Sequence, residues 1–149
     1  MSSGRTLALV VALVATGCSS PFGADEVREL ADARDRWGQR TFADYTFETR
    51  HDCFCPPRAI GPVRITVRQG DITSVTLLDS GEAVPADSWY TIEDLFERIP
   101  RLADEEGVED LTAEYDPALG FPTSIQARYE EGILDAGHSY TVSAVGPAS

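Results

Sequence analysis

The sequence predicts an α+β domain: an antiparallel sheet with two amphipathic helices on one face, in the order αβββαβββ. Three observations carry this expectation. Two segments, 25–37 and 91–106, repeat apolar residues at helical spacing. Six others alternate apolar and polar residues, as strands with one buried face do. The strands come in runs of three separated by turn residues, which makes them antiparallel neighbours and leaves the helices to cover one side. At 149 residues and 42% hydrophobic, the chain has the length for one domain with its own core.

The first helix, Asp25 to Trp37, is expected to start at Asp25 as N-cap and to end at Gly38. Val27, Leu30, Ala31 and Trp37 fall on one side, with Trp37 as a core anchor. Phe42 to His51 then alternates: Tyr45, Phe47, Thr49 and His51 share a face. Cys53 and Cys55 join that face if the extended conformation continues, and Pro56-Pro57 ends the strand. Residues 62–68 and 72–78 form a hairpin around Gln69-Gly70-Asp71, with Val63, Ile65 and Val67 inward. Residues 83–90 form a loop that ends in the aromatic pair Trp89-Tyr90.

Thr91 caps the second helix, with Asp94 three residues on as a short capping box. Ile92, Leu95, Phe96, Ile99, Leu102 and Ala103 make its apolar stripe, and Pro100 inside that stripe predicts a kink rather than a break. Strands follow over 108–115, 122–130 and 138–145. Their inward sets are Leu111/Ala113/Tyr115, Ile125/Ala127/Tyr129 and Tyr140/Val142/Ala144. Asp116 to Gly120 is turn chemistry between the first two. The doubled αβββ order allows an internal repeat, with Gly70–Val75 against Gly120–Ile125 as the matching detail.

The N-terminus reads as an address. Arg5 precedes an apolar run from Thr6 to Thr16, too short to span a bilayer and typical of a secretory signal. It runs into Ala15-Thr16-Gly17-Cys18-Ser19-Ser20, which resembles a bacterial lipobox, with Ala15 standing where leucine is usual. The resemblance implies residues 1–17 as signal peptide, 18–24 as a lipidated Cys18 with a short tether, and 25–146 as the folded domain. Each buried acyl methylene contributes about 0.8 kcal/mol to membrane attachment. A tether of this length reaches at most about 25 Å, so the domain is expected to stay near the membrane.

Charge narrows the partners. Asp and Glu number 25 against 12 basic residues, all arginine, for a net −13. Nucleic acid is excluded as a partner, because binding its backbone requires clustered positive charge. No nucleophile elbow, phosphate-cradling loop or metalloprotease motif occurs. His51 and His138 read as packed or solvent-facing residues, and the carboxylates at 104–106 and 109–110 as a solvated helix end and loop.

Cys53 and Cys55 are the two cysteines left beside Cys18. The reading adopted is a local disulfide, since disulfides persist in exported proteins. In a regular strand their Cα atoms lie about 6.5–7 Å apart, at the upper edge of disulfide geometry, so a bridge needs a bend at Phe54. A Cu(I) or zinc thiolate site helped by His51, and free or redox-active thiols, remain open.

Several stretches together resemble an uncharacterised family of bacterial lipoproteins, a domain of unknown function. They are Trp37, Tyr45-x-Phe47, Cys53-Phe-Cys55-Pro56, Gly61-Pro-Val-Arg-Ile-Thr-Val-Arg-x-Gly70 and Tyr115-Asp-Pro-x-x-Gly-Phe-Pro-Thr-Ser-Ile125. The element order is also similar to PepSY and beta-lactamase-inhibitor-protein-like domains, a likeness of architecture alone. The functional expectation is a lipid-anchored extracytoplasmic module of the bacterial cell envelope. It meets the membrane through Cys18 and another envelope protein through its surface, with Trp89 and Tyr90 as candidate contacts. No catalytic residue, metal or cofactor is assigned. The alternative is a thiol-based metal or redox protein centred on Cys53 and Cys55.

Overall fold

The computed structural model describes residues 22–52, 61–130 and 137–149. Cys18, Cys53 and Cys55, on which the lipid and thiol readings rest, lie outside them. The elements are helix α1 (Ala24–Gly38), strands β1 (Tyr45–Asp52), β2 (Val63–Arg68) and β3 (Asp71–Leu77), and a 3-10 turn at Ala86–Ser88. Helix α2 (Ile92–Ala103) and strands β4 (Val108–Tyr115), β5 (Pro122–Tyr129) and β6 (His138–Pro147) complete them. The expected αβββαβββ order is therefore present. All six strands join one antiparallel sheet in the order β3-β2-β1-β6-β5-β4.

Alternation decides which face is buried. Tyr45, Phe47, Val63, Ile65, Val67, Ile125 and Tyr140 are all at most 2% exposed, and the helices cover them. Between them, Arg50, Arg64, Thr112, Gln126, Arg128 and Thr141 point out on the other face, which is bare among the described residues. The sheet is thus a two-layer structure with one polar side open to water. Element order repeats between the halves, but direction does not, because β1 and β4 run oppositely. With both helices on one face, no rotation superposes one αβββ unit on the other.

The second helix follows its sequence pattern closely. Thr91 Oγ1 accepts from the Asp94 amide at 3.0 Å and the Asp94 carboxylate accepts from the Thr91 amide at 2.9 Å, a closed capping box. All six stripe residues are buried. The first helix differs at its start. Its N-cap is Gly23, and Asp25 sits inside the first turn bonded to Arg28 at 2.7 Å. Leu30, Ala33 and Trp37 form its buried stripe, whereas Val27 is 53% exposed and Ala31 is also outside. In β6, Ala144 faces solvent rather than the core. It takes φ 52 at a bulge opposite Phe47, which turns Val145 inward instead.

Pro100 explains how the helices dock. Lacking an N–H, it leaves the Phe96 carbonyl, four residues back, without its helical donor. Arg34 of α1 fills the gap, donating from Nη2 to that oxygen at 2.6 Å while its guanidinium lies 5.8 Å from the Phe96 ring. Arg34→Ala is expected to destabilise the fold by about 1–2 kcal/mol. Pro100→Ala returns the missing donor, so the same arginine change should cost measurably less in that background. Equal costs in a double-mutant cycle read by urea unfolding would break this account.

Glu93 ties the same junction from the other side. Its Oε1 accepts from Trp37 Nε1 at 2.8 Å and from Arg40 at 2.9 Å, and its Oε2 accepts from the Tyr45 hydroxyl at 2.5 Å. Burial and the adjoining Glu93 raise the Tyr45 phenol above its ordinary value. Tyr45 therefore stays a donor at any working pH, while its oxygen accepts from the Ile92 amide at 3.1 Å.

Candidate functional site

Titratable and aromatic side chains gather at one end of the sheet, where β1 ends and β6 begins. Strand pairing brings them there: His51 lies opposite Tyr140, and His138 opposite Ala127. Residues 87 apart in sequence thereby meet, His51 Nε2 and His138 Nδ1 standing 3.3 Å apart. The His51 ring stacks on Tyr140 at 4.1 Å between centroids, with planes 9° apart. Tyr129 meets His138 edge-on at 6.3 Å, and its hydroxyl donates to Glu105.

Arg98 reaches this group from α2. Its Nε donates to the Tyr140 hydroxyl at 2.7 Å, and its guanidinium lies 5.1 Å from the Tyr90 ring and 5.6 Å from that of Tyr140. The electrostatics follow from burial, from Arg98 and from the Glu105 carboxylate. Desolvation, then His138 and Arg98, lower the His51 pKa to about 4, with Asp52 opposing. Desolvation and Arg98 lower His138 as well, with Glu105 opposing. Desolvation pushes the Tyr140 phenol up to about 12, against the pull of Arg98. Both rings are therefore neutral near pH 7, and Tyr140 keeps its proton.

This has a pH consequence. Because the folded state holds His51 below its ordinary 6.5, the unfolded chain binds more protons there. The stabilising difference is complete above pH 6.5 and is lost as pH falls through that value toward about 4. The wild-type melting temperature, taken relative to His51→Phe, should accordingly drop across this window. A difference that does not change with pH would show that His51 protonation is not resisted.

The opposite face of the same end carries a pocket of about 450 Å³. Asp52, Ser139, Gln126 and Thr112 form a row across four strands along it, and Asp110 and Arg128 lie beside them. Ion pairs lace this open face: Arg128 with Asp110 at 3.3 Å, Arg50 with Asp52 at 2.7 Å and Arg64 with Glu48 at 2.6 Å. Such exposed pairs contribute about 0–1 kcal/mol each, so they can be exchanged for contacts to a ligand at small cost.

The candidate contacts separate. Trp89 is 8% exposed and belongs to the core, with Gly61 against its ring; it pins the loop down and offers no surface. Tyr90 is half-buried and belongs to the Arg98 group. In the sequence His51 and His138 stand as separate residues, and no local pattern marks Arg98. The alternation did place His51 and Tyr140 on inward faces, but only the β1–β6 register joins them. Among the described residues no three His, Cys, Asp or Glu side chains gather to hold a metal, and no helix is long and apolar enough to cross a membrane.

The family model described as "Family of unknown function (DUF6174)" matches residues 29–147. The chain belongs to this family. The DUF6174 match runs from within α1 to the last residue of β6, so it takes in every strand and both faces described above. No curated protein and no solved structure matches the chain.

Proposed function

We propose that this DUF6174 chain is a lipid-anchored extracytoplasmic module of a bacterial cell envelope that binds another envelope protein through the open face of its sheet. The observation that carries the binding part is the bare polar face with its pocket of about 450 Å³. Charge supports the choice of face. The chain is strongly acidic, yet Glu48, Asp52 and Asp110 on this side are each matched by an arginine. An acidic partner, of the same sign as this chain, meets less repulsion there than over α1, whose surface carries Asp25, Glu26, Glu29, Asp32 and Asp35. The anchoring part rests on Arg5, the apolar run and Cys18-Ser19-Ser20.

A photoreactive residue at Gln126 or Thr112, in intact cells, should give a discrete protein adduct that one at Asp32 does not. Adducts from both sides alike, or from neither, remove the open-face reading. Intact mass of protein extracted from membranes tests the anchor separately. A diacylglyceryl adduct at Cys18 supports it, and an unmodified Cys18 in soluble protein removes it.

One observation favours a second reading, a thiol-based metal or redox protein. The neutral His51–His138 pair lies at the end of β1, two residues in sequence before Cys53. Replacing Cys53 and Cys55 with serine abolishes metal content or redox response under that reading and leaves both unchanged otherwise.

A further inference from the structure

We infer that Arg98 is the centre of a binding site for a carboxylate, framed by Tyr90, Tyr140 and His51 at the end of the helix-covered face. Arg28, Arg34, Arg40, Arg50, Arg64, Arg68 and Arg128 each have a carboxylate within 4.0 Å. Arg36, Arg98 and the exposed Arg101 have none among the described residues; of these, Arg98 is half-buried with its guanidinium against two aromatic rings, in a chain of net charge −13. Leaving a desolvated cation unpaired is costly unless something else completes it.

Its direct contacts orient it, and the Glu105 carboxylate favours its charge from beyond ion-pair distance. The Tyr140 hydroxyl takes the Nε hydrogen at 2.7 Å, and the Tyr90 and Tyr140 rings, 75° apart, hold the guanidinium between them. A guanidinium carries five N–H donors in a planar fork, and this bond uses one of them. The two terminal nitrogens remain, spaced for the two oxygens of a carboxylate. Having accepted from Arg98, the Tyr140 hydroxyl still has its own proton to give. Tyr140 is fixed in turn by the His51 ring stacked on it at 4.1 Å. Arg98 is the one cation in the group among the described residues, which suits a monoanion better than a doubly charged phosphate. This site lies on the other side of the sheet from the open-face pocket, with His138, which also lines that pocket, beside His51.

The ligand chemistry has two sources, a small organic acid or the free C-terminus of a peptide. Calorimetric titration of the full-length protein with benzoate, with an N-acetyl dipeptide and with its C-terminal amide distinguishes them. Saturable binding of benzoate or the free-acid peptide, and none of the amide, is the expected result. Arg98→Gln should weaken it about tenfold or more, Arg98→Lys should restore part, and Arg101→Gln on the exposed side of α2 should leave it unchanged. Equal weakening by the Arg98 and Arg101 changes, equal binding of acid and amide, or binding of inorganic phosphate alone overturns the assignment. Circular dichroism of each variant confirms that the fold is kept, and Tyr140→Phe gives an independent loss if Arg98→Gln does not fold.

Discussion

Gly120→Ala is expected to destabilise the protein by about 3 kcal/mol or more, combining backbone strain with overpacking. Gly120 takes φ +84 in the turn that ends β4, and α1 crosses directly over it. A Cβ there would stand 2.8 Å from Arg36 Cβ and closer still to the Ala33 carbonyl oxygen. Helix and turn would have to part. The turn cannot easily yield, because Asp116 Oδ1 accepts from the amides of Ala118 and Leu119, and the Gly120 amide donates to the Asp116 carbonyl. Gly70→Ala is the control. Gly70 has φ +87 but open space around it, so only the backbone penalty of about 1 kcal/mol applies. Urea unfolding followed by tryptophan emission measures both. If the two alanines cost the same, contact between α1 and the turn is not what requires glycine.

Trp37→Ala is expected to cost about 3–5 kcal/mol, the largest effect of a single truncation here. Trp37 is 3% exposed, meets Tyr45, Phe42 and Phe121 edge-on, and lies 4.1 Å under the Arg40 guanidinium. It joins the only buried stripe of α1 to both β1 and the turn before β5. Trp37→Phe should retain most of this packing and lose the bond to Glu93, at about 1–2 kcal/mol. A phenylalanine as damaging as alanine would mean that the hydrogen bond, not the ring, holds α1 in place. Hydrogen exchange gives the spatial readout, since loosening should be greatest in α1.

What was legible in the sequence follows the range of the forces involved. The α2 stripe and its Thr91–Asp94 box were readable because each depends on neighbours within a few residues. Strand faces were readable for the same reason, except at Ala144, where the β6 bulge reverses the alternation. The α1 stripe was partly misread: Val27 and Ala31 are apolar, but the docking surface is set by Ala33 under Gly120 and Arg34 against Phe96, partners far along the chain. Its place in a loop makes Trp89 look like surface, whereas its ring is buried against Gly61. The faces of His51 and Tyr140 were readable, but the grouping around Arg98 was not. Its members come from the loop before α2, from α2 itself and from β1 and β6, and no local pattern announces a register.

The sheet order has a consequence for how the chain reaches this state. Every other strand pair joins neighbours in sequence, but β1 and β6 pair residues such as His51 and Tyr140, at opposite ends of the domain. Two three-stranded halves can form early from short-range contacts, and the seam between them must wait for the last strand to be made. Until then β1 presents an unpaired edge in the middle of the future sheet, the kind of edge that recruits strands from other chains. A ribosome or export channel that releases this protein from its N-terminus therefore exposes its most adhesive strand first and its natural cover last.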